Sequence, residues 1–259
     1  MKLETSSHAE HGAGGLSINS RAFCSFQFAA VTLLIVFAVL RYVFGIMQGN
    51  ATIEQATRMF DLDRENSIPT WFSMMNLLLS SVLAFVIYNH CRPAKGRDCH
   101  YWLMLGILFL GLSAEEVIGI HERITHFHNL RGSDIKLISL NAWVVYGAVF
   151  AASTALYFVP FLLRLERRMA LMILLSGGIF LSGALLSEFL QTLMWDNHPR
   201  MWSDGETLPP ARPSDFLVFL EEAGEMYGVA LFNSTLFAII HRLGATLTIR
   251  PVANRSQPN

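Results

Sequence analysis

The stretch FCSFQFAAVTLLIVFAVL, residues 23–40, decides the class of fold because it contains no charged residue. The apolar run continues to residue 47 with Arg41 as its one charged interruption. A transmembrane helix needs about 20 mostly apolar residues, whereas the apolar part of a cleavable signal peptide has about 7–15. We therefore interpret residues 23–47 as an uncleaved first membrane span.

Five further runs have the length and apolar character of membrane spans. They cover residues 70–90, 101–120, 140–163, 169–195 and 216–240. None alternates apolar and polar residues as a barrel strand does. The sequence therefore predicts an all-α, polytopic membrane helix bundle of about six transmembrane helices. We predict a disordered cytoplasmic N-terminus at residues 1–21, a transmembrane domain at 22–243 and a cytoplasmic tail at 244–259.

The composition agrees with lipid as the solvent of this chain. Hydrophobic residues make up 53% of the sequence and charged residues 15%, whereas soluble domains carry about 25% charged residues. The net charge of −1 excludes the basic surface of a nucleic-acid-binding protein. The predicted partner is thus the lipid bilayer, and the sequence names no protein partner.

The distribution of Lys and Arg predicts the orientation. Basic residues cluster in two short loops, at residues 92–97 and 164–168, and cytoplasmic loops are enriched in such residues. We expect both termini to lie in the cytoplasm.

The third predicted span carries several carboxylates and imidazoles. On one continuous helix Glu115, Glu122 and His126 share a stripe, because their spacing follows the helical repeat. Glu116 and His121 then point to other sides.

Two more spans carry acidic residues at a similar depth. The sixth has Glu221, Glu222 and Glu225, and the fifth has Glu188 with Gln191 about one turn later. With a rise of about 1.5 Å per residue, the glutamates of all three spans fall in the outer half of the bilayer. We expect them to face one pocket.

This acidic cluster needs neutralisation. A charge at the bilayer centre costs at least about 2.5–3.5 kcal/mol, and neighbouring like charges repel. No Lys or Arg lies in residues 101–120, 169–195 or 216–240, so protons or a bound metal remain. The alternative is structural, with one glutamate of each pair snorkelling outward or bonding to another helix.

Carboxylate with imidazole suits a divalent metal such as iron, zinc or manganese. The Glu-x-x-His spacing of di-iron bundles is missing from the spans. The candidate catalytic residues are Glu115, Glu122, Glu188, Glu222 and Glu225. The candidate metal ligands are Glu115, His121, Glu122, His126, Glu188, Glu222 and Glu225.

Two segments resemble parts of a group of uncharacterised bacterial multi-pass membrane proteins. They are FDLDRENSIPTWFS at residues 60–73 and LSAEEVIGIHE at residues 112–122. The resemblance implies a bacterial inner-membrane location, and it implies no activity.

Three classes of function fit these features. The first is a metal-binding membrane enzyme or redox protein that acts on a lipidic or quinone-like substrate. The second is a cation or proton transporter that uses the same glutamates. Polar residues continuing inward from the pocket would favour it, and the inner halves of the third and sixth spans, which are apolar apart from Asn233 and Ser234, disfavour it. The third is a structural or assembly subunit of a membrane complex.

Overall fold

Six long apolar helices form the bundle in the computed structural model of the chain. The structure describes residues 16–17, 19–47, 50–64, 66–93, 96–131, 136–193, 215–244 and 248–249. Within this part, six helices are long and apolar enough to cross a membrane. They confirm the predicted all-α bundle. We number them spans one to six: Ser20–Gly45, Ile68–Cys91, Cys99–Ile118, Ala142–Arg164, Arg167–Gln191 and Asp215–Arg242.

Several spans combine more than one helical segment. Span one is an α-helix, Ser20–Arg41, continued by a π-helix, Tyr42–Met47. Span four is the larger part of the helix Lys136–Arg164. Span five consists of an α-helix, a π-helix and a second α-helix: Arg167–Leu181, Ser182–Ser187 and Glu188–Leu193. The shorter helices are Ala51–Ala56, Arg58–Phe60 and Ile120–Arg131.

Capping residues set where spans one and two begin. The side chain of Asn19 accepts a hydrogen bond from the backbone N–H of Ala22, and Ser67 does the same for Thr70. Such caps satisfy N–H groups that have no partner inside the helix. Both helices therefore begin before the apolar runs from which the spans were predicted.

A short antiparallel pairing joins the two ends of the chain. The strand Leu16–Ser17 pairs with the strand Thr248–Ile249. The prediction of disorder over residues 1–21 is wrong for residues 16 and 17, which pair with the far end of the chain, and for residues 20 and 21, which begin span one. Pairing between distant segments cannot be read from local composition. Residues 1–15 and 18 lie outside the described part of the structure.

Spans five and six contact each other through their backbones. A Cβ atom added to Gly228 would lie 2.7 Å from the backbone nitrogen of Phe180, and one added to Gly224 would lie 3.0 Å from the Cα of Gly183. The residues Gly224 and Gly228 form a Gly-x-x-x-Gly pattern, which permits close approach of membrane helices.

We predict that Gly228→Ala destabilises the protein, because the added methyl group meets the backbone of Phe180. Overpacking of this kind costs about 1–3 kcal/mol. Thermal unfolding in detergent measures the change. The matched control is Gly178→Ala, since a Cβ atom there has nothing within 4 Å and alanine favours the helix by up to about 1 kcal/mol. Equal midpoints for the two variants would refute the close packing of spans five and six.

Candidate functional site

A glycine interrupts the predicted stripe of span three. Gly119 has φ 62° and ψ 50°, a left-handed conformation, and it ends the helix at Ile118. A new helix begins at Ile120. The prediction that Glu115 and Glu122 share a face of one helix is therefore wrong, because the turn redirects the chain between them. The side chain of Glu122 lies outside the described part of the structure.

The turn at Gly119 brings His121 back to Glu115. The Nδ1 atom of His121 lies 2.6 Å from Oε1 of Glu115, and the backbone N–H of His121 donates to the same oxygen at 3.2 Å. The imidazole ring also lies 5.7 Å from the ring of Trp143. The imidazole beside Glu115 is thus His121, whereas the stripe predicted His126, which is exposed.

A cavity between four spans brings two glutamates together. Glu116 of span three and Glu225 of span six line it with Ser73 and Asn76 of span two and Phe180 of span five. The space between these side chains is too small for a water molecule. On a continuous helix Glu116 would point away from the predicted stripe, and in the structure it lines the cavity. We therefore add Glu116 to the candidate site.

Two polar groups at this cavity lack partners. The hydroxyl of Ser73 and the amide nitrogen of Asn76 have no hydrogen-bond partner among the described residues. Ser73 is 5% exposed and Asn76 is 4% exposed. A buried polar group without a partner costs about 1–3 kcal/mol. Such groups are rare in folded proteins, and they indicate a position where a ligand or another group is bound.

A chain of hydrogen bonds leads from the cavity into the centre of the bundle. Gln27 of span one donates to the side-chain oxygen of Asn76 at 2.5 Å, and the amide of Asn233 in span six donates to the Asn76 carbonyl at 3.2 Å. The hydroxyl of Ser80 donates to the side-chain oxygen of Asn233 at 2.7 Å. All four side chains are at most 4% exposed. We call Gln27, Asn76, Ser80 and Asn233 the polar chain.

The other candidate glutamates lie near the cavity in a second group. Gln191 donates to Oε2 of Glu221 at 2.6 Å, and Glu188 is within electrostatic range of Glu221. Glu222 is half-buried and is within electrostatic range of Glu116. Spans three, five and six therefore bring their carboxylates to neighbouring positions.

The geometry gives no support to the predicted divalent-metal site. Among the described residues, no three His, Cys, Asp or Glu side chains are grouped so that they could hold a metal ion. The cavity combines two carboxylates with a hydroxyl and an amide, whereas iron and zinc sites usually include imidazole or thiolate. Iron, zinc or manganese binding stays a prediction.

Comparison with known proteins identifies one family. Residues 28–240 match a family described as a domain of unknown function, DUF8692. The matched region begins inside span one and ends near the end of span six, so it includes the cavity and the polar chain. No curated protein and no solved structure matches the chain.

We predict that Asn233→Leu lowers the stability of the bundle. The variant removes the acceptor of the Ser80 hydroxyl and the donor to the Asn76 carbonyl, at a cost of about 1–2 kcal/mol. Thermal unfolding in detergent measures the loss. Ser234→Ala is the control, because the hydroxyl of Ser234 donates to the carbonyl of Ala230 in its own helix and joins no other described span. A variant as stable as the wild type would contradict the role of Asn233 in joining spans two and six.

Proposed function

This chain belongs to the DUF8692 family, and we propose that it transports a proton or a small cation across the membrane. Its binding station is the cavity between Glu116 and Glu225. The observation that carries the proposal is the continuity between this cavity and the polar chain. Asn76 belongs to both, so polar groups extend from the glutamates into the middle of the bundle.

A transporter needs a binding group within the membrane and polar groups on either side of it. Ionisable residues inside membrane spans usually line such pathways. Beyond the cavity, Asp63 of the outer loop is within electrostatic range of Glu222. On the other side, the polar chain continues through Asn233 to Ser80. Polar groups therefore flank the glutamates in both directions.

No specific observation among the described residues favours either of the two other hypotheses. A metal-dependent enzyme or redox protein with a lipidic or quinone-like substrate needs a metal or cofactor site, and no three suitable ligands are grouped there. A structural subunit would use the glutamates to bind basic residues of a partner. In both of these hypotheses the polar chain only holds spans one, two and six together, whereas in a transporter it is also part of the pathway.

We predict that Glu225→Gln abolishes ion movement into proteoliposomes that contain the purified protein. The amide keeps the size of the side chain and removes its negative charge, so the station loses its ability to bind a cation. We expect the rate to fall at least about tenfold, which corresponds to about 1.4 kcal/mol. The measurement is uptake of protons, Na⁺ or K⁺ under an imposed gradient.

The control is Glu166→Gln, the same substitution between spans four and five. Glu166 forms an exposed ion pair with Arg242, and such pairs contribute about 0–1 kcal/mol. We expect this variant to move ions at the wild-type rate. Wild-type flux in Glu225→Gln, or equal loss in both variants, would refute a binding station at Glu225.

We also propose that the protein lies in a bacterial inner membrane with both termini in the cytoplasm. Arg164 bonds to Asp98 at 2.6 Å, and Arg242 pairs with Glu166, so the ends of spans three, four and six meet in a basic region. Cytoplasmic surfaces of membrane proteins are enriched in such residues.

This orientation predicts the redox state of Cys91 and Cys99 in cells. Their sulfur atoms are bonded in the structure, at the same end of the bundle as Arg164. Cytoplasmic thiols are kept reduced, so we expect both cysteines to be free when cells are quenched in acid and alkylated. Mass spectrometry of the peptides measures the modification. A disulfide in quenched cells would place this end outside the cytoplasm and overturn the orientation.

A further inference from the structure

We infer that the species held between Glu116 and Glu225 is a proton, an inference that rests on the proposed function and names its substrate. Three features support this inference: the width of the cavity, the hydrogen-bonding groups that line it and the charged groups that surround it. The first two features separate a proton from a metal cation, and the third explains why a cationic species is held at this position.

The cavity is too narrow to hold a water molecule among its lining side chains. A hydrated cation therefore has no room there, since it brings its water with it. Calcium and magnesium also need six or more oxygen ligands. A proton needs no space beyond that of the carboxylate oxygen to which it binds.

The groups beside the glutamates are hydrogen-bond donors. The side-chain oxygen of Asn76 already accepts from Gln27 at 2.5 Å. What Asn76 has left is its amide N–H₂ group, which has no acceptor among the described residues. An N–H₂ group cannot coordinate a metal cation, because it is a donor only. It can donate to a carboxylate oxygen, and the Ser73 hydroxyl can do the same.

The site has two states, one with a proton bound to a carboxylate and one without it. When a proton arrives, an O–H bond forms on one carboxylate oxygen of Glu116 or Glu225, and the remaining carboxylate can accept a hydrogen bond from it. When the proton leaves to water, that O–H bond breaks and no electron is transferred. The bare carboxylate can then accept hydrogen bonds from Ser73 and Asn76, which stabilise its charge.

The charged groups around Glu225 favour proton sharing. Its strongest electrostatic neighbours are carboxylates on spans three and six: Glu222, Glu116, Glu221 and Glu115. Span two contributes Ser73 and Asn76 to the cavity and span five contributes Phe180, none of which titrates. The imidazole of His121 hydrogen-bonds to Glu115. Carboxylates held together in this way hold a proton because their charges repel.

The test uses proteoliposomes of the full-length protein with an internal pH-sensitive dye, choline as the external cation and the lipid-soluble anion tetraphenylborate, whose movement balances the charge of the protons. We expect an imposed pH gradient to collapse at least roughly tenfold faster than in empty vesicles. Glu225→Gln removes this acceleration and Glu166→Gln keeps it. Parallel vesicles measure uptake of radioactive Na⁺ and Rb⁺.

The outcomes separate the inference from the proposed function. Proton movement with choline alone supports both. Uptake of Na⁺ or Rb⁺ without proton movement would refute the inference that the bound species is a proton, and it would still support the proposal that the protein is a transporter. If no ion moves, both the inference of a bound proton and the proposed transport function are refuted.

An infrared measurement covers the case in which Glu225→Gln fails to fold. A protonated carboxylic acid in the wild type gives a C=O stretching band that disappears when the proton leaves. We expect this band to change between acidic and alkaline buffer. The absence of any such band, together with Ser73→Ala vesicles that move protons at the wild-type rate, would overturn the proton-binding site.

Discussion

The backbone contact between spans five and six determines where the glutamates lie. A Cβ atom on Gly183 would lie 2.5 Å from the carbonyl oxygen of Glu221 and 2.9 Å from the nitrogen of Glu225, so only glycine permits this approach. Gly224 and Gly228 provide the matching surface on span six. Since the backbones touch on this side, the Glu225 side chain reaches the cavity beside spans two and three. The π-helical segment Ser182–Ser187 lies at this contact, and such segments often occur at functional sites.

Lipid cannot satisfy hydrogen-bonding groups, and this constraint explains the polar chain. Gln27, Asn76, Ser80 and Asn233 turn inward and bond across spans one, two and six. These bonds set the relative position of the three helices, because each donor must meet a particular acceptor. Among the described residues, the Gln27 side-chain oxygen, the Ser73 hydroxyl and the Asn76 amide nitrogen are buried without a hydrogen-bond partner. Two of these three groups belong to residues that line the cavity, which therefore has hydrogen-bonding capacity for a bound species.

The glutamates show which features of the site can be predicted from the pattern of residues along one helix. Their depth follows from counting residues along a helix, and spans three, five and six do bring acids to neighbouring positions. Helical periodicity selected Glu115 and Glu122 for one face, but Gly119 adopts φ 62° and ends the helix between them. The same turn pairs His121 with Glu115. A glycine at position 119 permits a turn, but the apolar residues on either side of it are also compatible with a continuous helix. The turn therefore could not be predicted from the local pattern.

The sequence alone determined that the chain is a bundle of six membrane helices, since length and apolar character suffice for that conclusion. It also determined that acidic residues enter the membrane without a basic residue in the same spans. Only the tertiary structure decided that Glu116 and Glu225 line one cavity, and that Asn76, which also lines it, bonds to Gln27 and Asn233. The physical reason is that periodicity describes one helix at a time. Which faces meet depends on glycine contacts and hydrogen bonds between helices far apart in sequence.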